Sequence, residues 1–128
     1  MAMLKSGLDH VQVAMPAGEE ARARAFYGAT LGLTEIEKPE PMRKRGGAWY
    51  ALGDGRQLHL GVEDDFRPSR KAHPCFVCAD AERLAGQLAA SGAEVRWDDA
   101  ISGVKRFFSD DCFGNRLEFT ERTDAAEG

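Results

Sequence analysis

Histidine is scarce in this sequence and cysteine is odd in number, with three of each among 128 residues. An odd cysteine count leaves at least one thiol unpaired in any disulfide scheme. That excludes a fully cross-linked secreted scaffold and suits a reducing compartment. No apolar run approaches the roughly 20 residues that span a bilayer, and the N-terminus lacks the apolar core of a signal peptide. The expectation is a cytoplasmic protein with no membrane partner. A basic surplus is missing too. The net charge is -4 and the isoelectric point is near 5.4, which weighs against nucleic-acid binding. What remains is an ordinary globular composition, 43% hydrophobic and 30% charged, in a chain of one-domain length.

Cys75 and Cys78 have the C-x-x-C spacing of redox or zinc sites. Side chains three apart on a strand point to opposite faces, and a reactive C-x-x-C usually opens a helix. No helix start is visible there, so these read as structural thiols.

The chain reads as two copies of one unit. The first begins with a strand around His10, followed by a helix from about Gly18 to Thr30. Ala23, Phe26, Tyr27, Thr30 and Leu31 form its apolar stripe, and Gly32 is placed to end it. A strand near Leu33–Glu37, a basic loop over Met42–Gly47 and a hairpin through Gly53-Asp54-Gly55 follow. The second begins with a strand around His73. Asp80 is the N-cap of a helix running to about Ser91, striped by Ala81, Leu84, Ala85 and Leu88. A strand over Ala93–Trp97 and a hairpin turning at Asp110–Gly114 complete it. The modules span about 6–62 and 72–121, within a single domain over 1–122, joined by a polar connector and trailed by a flexible tail over 123–128.

Alternation then sorts faces. Val11 and Val13 oppose His10; Leu58, Leu60 and Val62 oppose His59; Leu117 and Phe119 oppose Glu118. If the apolar faces pack on the helices, His10, His59, His73 and Glu118 share the other, concave side. Three imidazoles and a carboxylate suit one divalent metal, with zinc, nickel, iron and manganese all open. Glu118, which could leave the metal, is the candidate catalytic base. Trp49 and Tyr50 on the third strand are candidates for lining a substrate pocket. Arg67 and Arg70 in the connector are candidates for holding an anionic substrate group.

The stretches Leu8-Asp9-His10-Val11, Phe26-Tyr27…Leu31-Gly32, Gln57-Leu58-His59-Leu60, the His73 segment and Asp110…Gly114-Asn115-Arg116-Leu117-Glu118 resemble the vicinal oxygen chelate superfamily. It includes glyoxalase I, fosfomycin-resistance enzymes, bleomycin-binding proteins and extradiol dioxygenases. The resemblance implies an α+β fold of two tandem βαβββ modules, an open, curved mixed β-sheet barrel with helices outside. It also implies metal binding at the four positions held here by His10, His59, His73 and Glu118. Bacterial glyoxalase I commonly has a glutamate where this chain has His59. Three functions follow as expectations. The leading one is a metal-dependent, glyoxalase-like enzyme, of lyase or isomerase type, that chelates vicinal oxygens of a small substrate. The others are a metal-independent protein that sequesters a small molecule and a fosfomycin-type thiol transferase. A homodimer is expected, because such relatives often pair modules across a two-fold axis.

Overall fold

The computed structural model describes residues 3–5 and 7–122. Its first half runs β1 (His10–Met15), α1 (Glu20–Ala23, continuing as a π-helical segment Arg24–Thr30), β2 (Thr34–Ile36), a 3-10 segment Glu40–Arg45, β3 (Ala48–Ala51) and β4 (Gln57–Val62). The second half repeats the order with β5 (Cys75–Cys78), α2 (Ala81–Ala90), β6 (Arg96–Asp98), β7 (Arg106–Asp110) and β8 (Arg116–Glu121). Each half makes one four-stranded mixed sheet, ordered β1-β4-β3-β2 and β5-β8-β7-β6. The first strand of each is parallel to the last, and the remaining pairs are antiparallel. The α+β fold of two tandem βαβββ modules is therefore present. No helix among the described residues is long and apolar enough to cross a membrane.

Period-two alternation decides what each sheet buries. Val13, Met15, Tyr50, Leu58 and Leu60 lie buried on one face of the first sheet, with Ala23, Phe26 and Tyr27 of the helix in the same core. In the second sheet Phe107, Leu117 and Phe119 are buried with Ala81, Ala85 and Leu88. Phe119 stacks at 5.0 Å on Phe107 and at 5.6 Å on Phe76. Asp80 caps α2 by accepting from the Arg83 amide at 3.1 Å, a contact that contributes about 1 kcal/mol to such a helix.

The structure departs from the sequence reading in four places. The first helix is α-helical only over Glu20–Ala23, and its next turns widen so that the Leu31 amide bonds Phe26 O, five residues back, at 2.9 Å. The basic loop contains a 3-10 turn, entered from Pro39 with Pro41 in its first turn, where a missing N–H costs nothing. β6 starts at Arg96 rather than Ala93. His73 precedes its strand, which begins at Cys75, but the segment is already docked: the Glu118 amide donates to Pro74 O at 3.1 Å. The tail expected over 123–128 lies outside the described residues.

The modules are joined by more than their connector. Asp111, buried in the turn between β7 and β8, accepts from the Tyr27 hydroxyl at 2.5 Å, from the Phe113 and Asn115 amides at 2.9 Å, and from Asn115 Nδ2 at 3.0 Å. Asn115 Nδ2 also donates to Ala14 O of β1 at 2.8 Å, and its Oδ1 accepts from the Ser69 amide. This latch ties the helix and first strand of one module to the last hairpin of the other.

Candidate metal and substrate site

The four expected ligands fall into two pairs, one on each sheet. In the first, β1 and β4 are neighbours with Gln12 opposite His59. The His10 and His59 rings stack with centroids 4.1 Å apart, and Trp49 stacks on the far side of His59 at 3.7 Å, only 3° from parallel. Trp49 reaches this position because β3 pairs it directly with His59. His59 is buried, and its Nε2 lies 2.8 Å from Gln57 Oε1. Burial, and then the neighbouring His10, hold the His59 pKa below the ordinary imidazole value. A neutral imidazole keeps the lone pair that a metal needs.

In the second pair, His73 Nε2 is 2.9 Å from Glu118 Oε1, and Arg106 Nη1 donates to Glu118 Oε2 at 2.8 Å. Burial would raise the Glu118 pKa, but the hydrogen bonds from His73 and Arg106 outweigh it and hold the carboxylate below its usual range. The side chains of Glu118 and Arg106 are only 14% and 17% exposed, so solvent screens this pair weakly. His73 Nδ1 is 2.8 Å from Lys71 O. With Glu118 the ring shares its Nε2 proton; were a cation to take the place of that proton, Nδ1–H donation to the Lys71 carbonyl would hold the ring with Nε2 as the free donor.

The donor chemistry of each pair fits half of a divalent-metal shell. Among the described residues, no group of three or more histidine, cysteine or acidic side chains converges within the chain. The two pairs therefore stand apart on their own sheets.

The other candidates are placed as follows. Tyr50 is fully buried on the helix-facing side, tilted against Tyr27 at 5.9 Å. It does not line the site, because it follows Trp49 on one strand and adjacent residues face opposite ways. Arg70 donates from Nη1 to Asp110 Oδ1 at 2.9 Å and to Gly114 O at 2.6 Å, which commits it to the turn between β7 and β8. Arg67 is exposed and lines a cleft of about 780 Å³ at the seam between the modules, together with Gln12, His73, Cys75 and Arg116.

The Glu118-bearing face of the second sheet also carries Cys75, which the sequence marks as a structural thiol, and Arg106, Phe108 and Arg116, which it does not single out. Cys75 is paired in register with Glu118. Burial of its sulfur, and then the Glu118 charge, push the thiol up to about 11, so it is protonated at neutral pH. Phe108 lies directly across from Glu118, with its ring edge-on to His73 at 5.6 Å. Arg106 and Arg116 place their guanidinium carbons 5.4 and 4.4 Å from the centre of the Phe108 ring. Alternation on β7 would have found Arg106 and Phe108, but the consecutive Phe107 and Phe108 hide which face is which.

Two tandem βαβββ modules, each making a four-stranded mixed sheet, define the fold class. The glyoxalase/bleomycin resistance protein/dioxygenase superfamily model matches residues 7–119, and the chain belongs to this superfamily. A glyoxalase family protein from Bacillus anthracis is 46% identical over 96% of this chain and 100% of its own, with a TM-score of 0.90. Lactoylglutathione lyase from Agrobacterium tumefaciens shares the fold at 18% identity, covering 91% of this chain and 94% of its own, with a TM-score of 0.71. So does a fosfomycin resistance protein from Listeria monocytogenes, at 14% identity, 98% and 100% coverage and a TM-score of 0.71. No curated protein matches the chain.

Proposed function

We propose that this protein is a metal-dependent enzyme acting on a small oxygenated substrate, with His10 and His59 of one module and His73 and Glu118 of the other as metal ligands. One observation carries the reading: the four donors occur as matched pairs at equivalent positions of two duplicated sheets. Because the pairs stand on separate sheets, the complete shell forms when the first module of one chain faces the second module of another, in a two-fold homodimer.

A divalent cation held there would act as a Lewis acid toward two neighbouring substrate oxygens. Neutral His59, sandwiched between His10 and Trp49, cannot rotate freely and is preorganised. Glu118, kept ionised by His73 and Arg106, is the carboxylate available to take a proton from the carbon beside a substrate carbonyl. Trp49 walls one side of the site and limits water access.

Elemental analysis of the purified protein, alongside sedimentation for oligomeric state, tests this. The expected result is about one metal per chain in a dimer, lost in the His59→Ala, Glu118→Ala double variant. No metal after incubation with zinc, nickel, iron and manganese overturns it. A second reading, sequestration of a small molecule without chemistry, draws on the flat Trp49–His59–His10 stack, which is an aromatic platform in its own right. Ligand binding that survives a chelator would favour that alternative.

A further inference from the structure

The Glu118-bearing face of the second sheet carries a cation whose partner the fold does not supply. Four guanidiniums lie on or beside it. Arg96 pairs with Asp110 and Glu94, Arg70 pairs with Asp110, and Arg106 pairs with Glu118 and Asp98. Arg116 has no carboxylate partner among the described residues; its one hydrogen bond is from Nη1 to Arg70 O at 3.3 Å. Its guanidinium sits over Phe108, with its carbon 4.4 Å from the ring centre. The Nε–H groups of Arg106 and Arg116 are both buried and unpaired. Orphaned donors of this kind are costly unless something else satisfies them.

The position matters as much as the lack of a partner. Arg116 is two residues before Glu118 on β8, so both side chains emerge on one face. Phe108, beneath the guanidinium, is the cross-strand neighbour of Glu118. Arg116 and His73 open onto the same cleft. If Glu118 is drawn onto a divalent cation, Arg106 shares or loses that carboxylate. Two guanidiniums and a metal then crowd one wall; Asp98 faces Arg106, while Asp110, the cross-strand neighbour of Arg116, is already taken by Arg70 and Arg96. Such a wall is electrostatically tolerable once an anion occupies it.

We infer that the substrate carries an anionic group, a carboxylate or a phosphonate, docked on Arg116 while its vicinal oxygens reach the metal. Arg116 is thus the specificity determinant of the site. The inference rests on the metal-site reading of His10, His59, His73 and Glu118. Arg116 is suited to the role because a guanidinium fixed against an aromatic ring presents a planar fork for two anion oxygens. Arg67, exposed on the same cleft, adds a second positive charge along the approach.

Calorimetric titration of the metal-loaded protein with matched hydroxamates separates this inference from the reading beneath it. Acetohydroxamate chelates through two neighbouring oxygens and is neutral. Succinic monohydroxamate has the same head with a carboxylate tail, and a phosphonate-tailed analogue tests the other anion. The expected result is binding of the tailed probes about tenfold or more tighter, the size of a charge-assisted bidentate contact. In Arg116→Met the ratio between tailed and neutral probes should fall toward one, and Arg116→Lys should restore part of it. Equal binding of all three probes to the native protein overturns the inference and leaves the metal site standing. No binding of any hydroxamate, with no metal retained, removes the metal-site reading itself. The comparison of probes on the native protein holds even if a variant folds poorly.

Discussion

Removing the hydroxyl of Tyr27 should loosen the two modules from each other, by an amount that follows from the Asp111 network. In Tyr27→Phe the ring stays in its slot, so no cavity forms. Asp111 keeps its three N–H donors from Phe113 and Asn115, so it is not left unpaired. What is lost is one hydrogen bond to a buried carboxylate, worth roughly 1.5–3 kcal/mol. For a domain of this length that is roughly 5–15 °C in Tm, at about 3–5 °C per kcal/mol. Asp111→Ala goes further and strands the Tyr27 hydroxyl and two backbone amides in the interior, a cost of roughly 3–5 kcal/mol. Urea unfolding at one fixed protein concentration gives both numbers, and the fixed concentration removes any contribution from association. The double variant is decisive. Once Asp111 is gone, Tyr27→Phe should cost nothing further or even stabilise, since it deletes an orphaned hydroxyl. If Tyr27→Phe costs the same in both backgrounds, or less than about 0.5 kcal/mol in the native one, the latch does not bind the modules as described.

Further expectations concern titration and reactivity. Metal-free protein should lose stability on acidification below about pH 6.5. The folded state holds His59 at a depressed pKa, so the unfolded chain binds the proton first; a His59→Gln variant should flatten this limb of the pH–stability curve. At the other end, burial and the Asp111 charge raise the Tyr27 pKa, so its contribution is complete below about pH 10 and fades as alkali ionises the unfolded tyrosine. Tyr27→Phe should remove that loss in alkaline unfolding curves. Cys75 should react slowly with iodoacetamide near neutral pH, and Glu118→Gln should speed it by removing the neighbouring negative charge. Labelling followed by mass spectrometry, with Cys75→Ala as control, checks the site.

Most of the architecture was legible because both modules follow simple periods. Apolar residues at every second position set the buried faces of β1, β4 and β8, and Asp80 and Gly92 punctuate α2 as capping chemistry dictates. The same parity reasoning puts His10, His59 and Glu118 on the face opposite the apolar residues; in the structure His10 and His59 stack on each other, and Glu118 meets His73 and Arg106. It failed where two like residues adjoin. Trp49 and Tyr50 cannot both face the site, and only the pairing of Tyr50 with Leu58 reveals which is inside. The π-helical turns after Ala23 left no readable trace, since a five-residue hydrogen bond alters spacing by one residue without altering composition. That the ligand pairs stand apart was equally invisible, because it depends on how two sheets are placed in space and not on any local pattern.

The latch between Tyr27 and the Asp111–Asn115 turn has a consequence for how the chain is made. Tyr27 emerges from the ribosome early, while its partner lies 84 residues further along. At roughly 5–20 residues per second, the first helix spends on the order of 4–17 s in search of a contact that does not yet exist. The first module can collapse around Val13, Tyr50 and Leu58 during that interval, but it cannot lock. Final closure waits for the last hairpin, so a ribosome that stalls beyond the connector would release a half-protein with its seam uncovered, a natural substrate for chaperones and proteases.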